Sequence, residues 1–203
     1  FDWKRPTGKL KTIECRQFLE DLHDQEIISL PDRRLGRPAR ARSKIRVTEN
    51  TKKGKDISGP LKQLLPLSLI SVKTKTQRDV WYEFVDRYHY LGYQTPFGAQ
   101  LRYFVEGRDK EPLGCLQFSS PAWKMAARDE WIGWNDVERQ RNLQKIVNNS
   151  RFLIFPWVKV KNLASSILSR CIRTIADDWE KRYAVRPVIL ETLVDISRYA
   201  GTC

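Results

Sequence analysis

Residues 146 to 168, IVNNSRFLIFPWVKVKNLASSIL, constrain the chain more than any other stretch. Phe152, Leu153, Ile154 and Phe155 form a continuous apolar run, the pattern of a strand buried on both faces. Pro156 and Trp157 end it, because proline has no N–H to give a ladder. A short polar stretch follows, and Leu163, Ile167, Leu168 and Ile172 then recur at helical spacing. A buried strand therefore runs through a loop into a helix, with Lys161 and Asn162 at the helix mouth. The first N–H groups of a helix have no internal partner and sit at the positive end of its dipole. Residues Lys161, Asn162, Leu163, Ala164 and Ser165 thus form a candidate site for a phosphate or pyrophosphate. The same residues also read as an ordinary strand–loop–helix joint capped by Asn162.

Charge is distributed unevenly around this centre. Of a net +13, residues 33 to 55 hold +9: Arg33, Arg34, Arg37, Arg40, Arg42, Lys44, Arg46, Lys52, Lys53 and Lys55 stand against Glu49 alone. With Gly36, Pro38, Gly54, Gly59 and Pro60 nearby and few large apolar residues, 32 to 60 reads as a flexible basic linker. Such a segment binds phosphate backbones by counterion release, and Arg37-Pro38-Ala39-Arg40 has the form of a minor-groove hook. DNA is the expected partner of these residues. A solvated tether has the same composition. No apolar run approaches the length of a membrane span. Cys15, Cys115, Cys171 and Cys203 are far apart and form no metal motif, which suits reduced thiols in a cytoplasmic protein. Both ends read as cut, so a piece of a longer protein is expected.

Residues 1 to 31 read as a small helical module, with Ile27, Ile28, Ser29 and Leu30 as a short strand stopped by Pro31, the arrangement of a winged-helix edge. A plain helical hairpin fits as well. The main domain is expected over 61 to 203. Its first helix spans 76 to 90, capped by Thr76, with Val80, Trp81, Phe84, Val85 and Tyr88 as its apolar face. Residues 101 to 105 and 113 to 118 form a hairpin, 123 to 128 a short helix, 162 to 176 a longer one, and 187 to 195 a last strand. The order predicts an α/β fold of the α+β kind, a mixed sheet with flanking helices. His89 is a candidate acid/base by its ordinary range, although no partner is visible.

The run 88 to 93 (YHYLGY), the run 113 to 133 (LGCLQFSSPAWKMAARDEWIG), IVNNSRFLIFPWVKVKNLAS, and LETLVD at 190 to 195 resemble the Druantia anti-phage protein DruA family, whose domain also occurs with transposases. The resemblance implies phage defence or mobile-element biology, with other defence proteins or a transposase as partners. The helix, hairpin, strand, loop, helix, strand order is in turn similar to the GNAT acyltransferases. That likeness implies acetyl-CoA or another CoA thioester at residues 161 to 165, although no glycine lies between Lys161 and Ser169.

Three readings follow. In the first, a DNA-binding defence component carries a GNAT-like core that modifies DNA or is a degenerate scaffold. Its candidate catalytic residues are Glu191, Asp195 and Asn148, of which only the carboxylates are natural general bases. In the second, the chain is a non-catalytic recognition and recruitment subunit for a transposase or a defence helicase. The third is a Mg²⁺-dependent nuclease using Asp129, Glu130, Asp136, Glu191 and Asp195.

Overall fold

The computed structural model describes residues 11 to 31, 45 and 47 to 194. The chain divides into two compact units, 1 to 44 and 45 to 203. The described part of the first is helix α1 (Thr12–Asp24) and the turn behind it. The strand expected over 27 to 30 does not form. The chain instead folds back on the helix end, with the N–H of Ile27 donating to Leu22 O at 3.0 Å and that of Leu30 to His23 Nδ1 at 3.4 Å.

The second unit is a mixed α/β fold, as the element order predicted. Its elements are β1 (Ile57–Ser58), β2 (Ser68–Ser71), α2 (Lys75–Tyr88), β3 (Gln100–Glu106), β4 (Pro112–Ser119), α3 (Ala126–Ile132), α4 (Asp136–Asn142), β5 (Ile146–Ile154), β6 (Val158–Lys159), α5 (Leu163–Tyr183) and β7 (Ile189–Thr192). Five strands pair in the order β2-β3-β4-β5-β7. All neighbours are antiparallel except β5 and β7, which run parallel and are joined by α5. A crossover helix is what a parallel pair requires. The strand starts earlier than its apolar run, so Asn148 and Asn149 lie inside the ladder rather than ahead of it.

Helices cover both faces. Trp81 of α2 donates its indole N–H to Tyr103 O at 3.0 Å, and Phe84 meets Phe104 edge to face and packs tilted against Phe155. On the other face the Tyr103 hydroxyl donates to Asp178 of α5 at 2.9 Å, and Tyr183 bonds both polar groups of the Gln100 backbone. Successive strand residues point to opposite faces, so Tyr103 and Phe104 assign α5 and α2 to opposite sides. Trp81, Tyr103, Phe118 and Phe155 are fully enclosed between these layers.

Three local features differ from expectation. The cap of α2 is Thr74, not Thr76: its hydroxyl accepts from Gln77 N, and the Gln77 side chain returns to the Thr74 N–H, a closed capping box. Helix α5 continues seven residues past 176, to Tyr183, because Trp179 and Tyr183 prolong its apolar stripe. The segment 32 to 60 divides. Residues 32 to 44 and 46 lie outside the described residues, whereas 47 to 60 is ordered against the core, with Ile57 and Ser58 paired with β6 and the turn at 48 to 51 packed on α2. There the buried Glu83 accepts hydrogen bonds from the Thr48 N–H, the Thr48 hydroxyl and the Thr51 hydroxyl, while Arg87 and Tyr88 donate to Thr51 O.

Candidate functional site

Pairing in the sheet aligns polar residues across four strands. Gln100 of β3 faces Ser119 of β4, which faces Asn148 of β5, which faces Glu191 of β7. One row further along, Arg102, Gln117 and Arg151 face each other in the same way. The next row, Phe104, Cys115 and Leu153, is apolar. All three rows lie on the face of α2, because alternate residues share a face. That face is therefore a core at one end and a polar floor at the other.

The polar floor is only partly satisfied. Gln117 and Arg102 both donate to Gln100 Oε1, the former at 3.0 Å. Gln117 Oε1, Asn148 Oδ1, Glu191 Oε1 and Arg102 Nε are buried with no hydrogen-bond partner among the described residues. On the opposite face Asn149 Oδ1 is in the same condition, although its amide reaches Thr192 Oγ1 at 3.4 Å. Gln117 is fully enclosed. Buried polar groups are nearly always paired, since each orphan costs about 1–3 kcal/mol. Such a concentration in two adjacent rows of a sheet marks a place shaped by something other than stability.

The connection between β4 and β5 covers this end. Buried Arg128 reaches Glu191 Oε2 at 3.4 Å and grips Asp129 at 3.0 Å. Asp129 also accepts from Trp134 Nε1 at 2.9 Å and Arg139 at 3.3 Å. Burial pushes the Glu191 carboxyl up from its ordinary value, against the pull of Arg128. Burial acts the same way on Asp129, but its hydrogen bonds and Arg128 outweigh it and hold the group low. Two neighbouring carboxyls are thus pushed apart, which is how acid/base sites are commonly built.

Aromatic residues wall the other row. Arg102 lies over Tyr82, which stacks on Tyr93 with ring centroids 4.1 Å apart. Arg151 donates to Gly92 O at 3.1 Å. His89 is driven down to about 4, first by burial and then by Arg151, so its ring is neutral near pH 7. Its Nδ1 accepts the Leu91 N–H at 3.2 Å, so the proton sits on Nε2.

The structure therefore brings two of the three expected catalytic residues together: Asn148 and Glu191 are cross-strand neighbours. Asp195 lies outside the described residues. Lys161, Asn162, Leu163, Ala164 and Ser165 sit at the other end of β5, with about 20 Å of strand between Asn148 and Ile154. Lys161, Asn162 and Ser165 are exposed, while Leu163 is buried. Asn162 precedes α5 in the left-handed conformation (φ 64°), and its side chain caps nothing. Arg33, Arg34, Arg37, Arg40, Arg42, Lys44 and Arg46 lie outside the described residues. Lys52 pairs with Glu49, and Lys53 with Asp56 at 2.9 Å, all on the surface. Among the described residues no three His, Cys, Asp or Glu side chains are placed to hold a metal ion. Asp129 and Asp136 are instead bound by arginine.

Sequence reasoning missed Gln100, Arg102, Gln117 and Arg128. Gln117 was detectable, as a polar residue set between Leu116 and Phe118 in an apolar run. Nothing in the local pattern marks Arg128.

A family model for the Druantia protein DruA matches residues 21 to 203. The chain belongs to the DruA family. Membership implies a role in Druantia anti-phage defence, which the motifs at 113 to 133 and 146 to 165 had suggested. No curated protein and no solved structure matches the chain. The likeness of this DruA-family fold to GNAT acyltransferases thus rests on element order alone. No helix among the described residues is long and apolar enough to cross a membrane.

Proposed function

We propose that this chain is the DNA-engaging component of its Druantia system and that its core carries a working group-transfer site rather than an inert scaffold. The observation that carries the reading is the partly satisfied floor formed by Gln117 in one row and Asn148 and Glu191 in the next, with the proton affinity of the Glu191 carboxyl raised by burial. A scaffold gains nothing from orphaned polar atoms in the middle of its sheet. Glu191 would serve as the acid/base, with Asn148 beside it to orient the reacting group and Arg128 to set its charge.

The geometry of β5 favours an extended cofactor with a phosphate end. Its pairing with β7 stops at Asn149 and Thr192, so residues 150 to 154 carry β4 on one side only among the described residues. The register shifts at Gln117/Phe118, which leaves Ser150 as a bulge in β5. A CoA thioester held by its phosphates at 161 to 165 would run along this edge toward Asn148 and Glu191. The basic stretch 33 to 55 would hold the DNA.

The recruitment-subunit reading draws support from the cofactor loop, where the mouth of α5 has no glycine and Leu163 is buried. A thermal-shift titration of the full chain with acetyl-CoA, with and without duplex DNA, separates the two. A ligand at 100 times its Kd adds about 2.7 kcal/mol, an easily read change in Tm. A saturable acetyl-CoA shift lost in Lys161→Ala supports group transfer. A shift with DNA alone supports recruitment.

A further inference from the structure

A second basic feature lies on the folded core and is built from residues outside the 33 to 55 stretch. Arg108, from the turn between β3 and β4, faces Arg170 and Arg173 of α5 across an open groove of about 570 Å³. Ser166 and Ser169 complete the helical side, and Pro66 with its leucine neighbours forms an apolar lip. Residues 166, 169, 170 and 173 are three and four apart, so they present one helix face. Arg108 is fixed, because its Nε donates to Leu65 O and its N–H to Leu64 O at 3.0 Å.

The charge of this groove is uncompensated. Its lining holds no acidic side chain. None of the three arginines forms an ion pair among the described residues, whereas Arg128, Arg139 and Arg186 each do. The acids further along α5, Asp177 and Glu180, are taken by Arg186 at 2.8 and 2.7 Å. An open groove with planar guanidinium forks on both walls, hydroxyl donors between them and an apolar lip matches a sugar–phosphate chain. Phosphate oxygens take the arginines and serines, and sugar edges take the lip.

We infer that the groove between Arg108 and Arg170/Arg173 is a track for the phosphate backbone of DNA, a second contact independent of the basic stretch 33 to 55. The inference rests on the DNA-binding reading above and gives it a structured surface. This contact carries no sequence preference, because phosphate contacts position a duplex without reading its bases.

The test is fluorescence anisotropy of the full chain on a labelled 20-base-pair duplex across 50 to 200 mM salt. The wild type is compared with Arg170→Gln/Arg173→Gln, with Arg108→Gln, and with a variant neutralised at Arg33, Arg34 and Arg37. Arg170 and Arg173 are exposed on a helix, so the double variant keeps its Tm. Each phosphate contact contributes a salt slope of about 0.9, so the double variant should lose about 1.8 from the slope. Its affinity then falls roughly tenfold less than the wild type's over that range. Arg108→Gln should lose about 0.9. If the wild type binds, the three-arginine variant loses slope and the groove variants do not, the groove is overturned while the DNA reading stands. If the wild type binds no duplex even at 50 mM salt, both fall together.

Discussion

Arg128 reaches Glu191 across 63 residues of sequence, with Nη1 3.4 Å from Oε2, while Glu191 Oε1 has no partner among the described residues. The pair is therefore incomplete on the carboxylate side. Burial outweighs the arginine, and the carboxyl is raised above its ordinary value of 4.5. A carboxyl with a raised folded value opposes folding once pH exceeds 4.5, where the unfolded chain ionises more readily. Glu191→Gln should thus leave Tm unchanged below pH 4 and raise it at pH 7 and above. A lower Tm at pH 7 would show that the Arg128 contact outweighs desolvation. Loss of phage protection in the same variant is expected if the carboxyl is the acid/base.

Glu83 behaves in the opposite sense. Burial alone would push its carboxyl up, but donors from Thr51 and Thr48 and the charge of Arg87 hold it below 4.5. Its contribution is present above 4.5 and is lost as pH falls through the depressed folded value. Glu83→Gln faces an amide N–H toward hydroxyl and backbone donors, which should cost about 1–3 kcal/mol. Hydrogen exchange should then rise first at residues 48 to 51, since Glu83 ties that turn to α2. Uniform exchange across the core would mean that the turn is held by other contacts.

His89 supplies a third pH window. Its folded value of about 4 lies below the unfolded 6.5, first through burial and then through Arg151. The neutral ring is favoured by folding, so its contribution is complete above 6.5 and is lost as pH falls from 6.5 through about 4. Tm should fall between pH 6.5 and 4.5, before Glu83 begins to protonate. His89→Gln, which keeps an acceptor for the Leu91 N–H, should flatten that window. A wild-type Tm that is level across the window would place the imidazole in water.

Gly114 is required by close approach rather than by conformation. A Cβ there would lie 2.1 Å from the Leu153 backbone oxygen and 3.2 Å from Ile154 Cα. Backbone cannot rotate aside as a side chain can, so β4 and β5 would have to separate. Gly114→Ala should cost at least about 2 kcal/mol, as overpacking of a closed core does. A nearly unchanged Tm would mean that the two strands part at that position without loss.

Periodicity made much of the fold legible. The run from Phe152 to Phe155 is apolar because helices cover both faces of the sheet, with Leu153 and Phe155 buried and Phe152 and Ile154 packed against the core, and Val80, Trp81 and Phe84 mark the face of α2 that meets the sheet. Asn148 and Glu191 were candidates by chemistry, and the parallel register brings them side by side. Arg128 was invisible because nothing local links it to a strand 63 residues later. Thr74 was passed over for Thr76 because both are capping residues, and only Gln77 closing the box decides between them. The packing of 47 to 60 was hidden for a related reason. A buried Glu83 that gathers Thr48 and Thr51 contradicts the rule that glycine-containing basic segments stay solvated.

Asn148 gives the sharpest test of whether this floor exists for function. Its Oδ1 is buried with no partner among the described residues, yet the residue sits inside a paired strand between Ser119 and Glu191. Removing an orphaned acceptor recovers a desolvation cost of about 1–3 kcal/mol, and leucine has a similar volume. If the asparagine is kept for chemistry, Asn148→Leu should raise Tm while abolishing phage protection, the trade-off seen where active sites are built against stability. Protection retained with a raised Tm would remove Asn148 from the site. A fall in Tm would mean that the amide is held by partners beyond the described residues, and Asn148 would then be a structural residue rather than part of an unsatisfied polar floor.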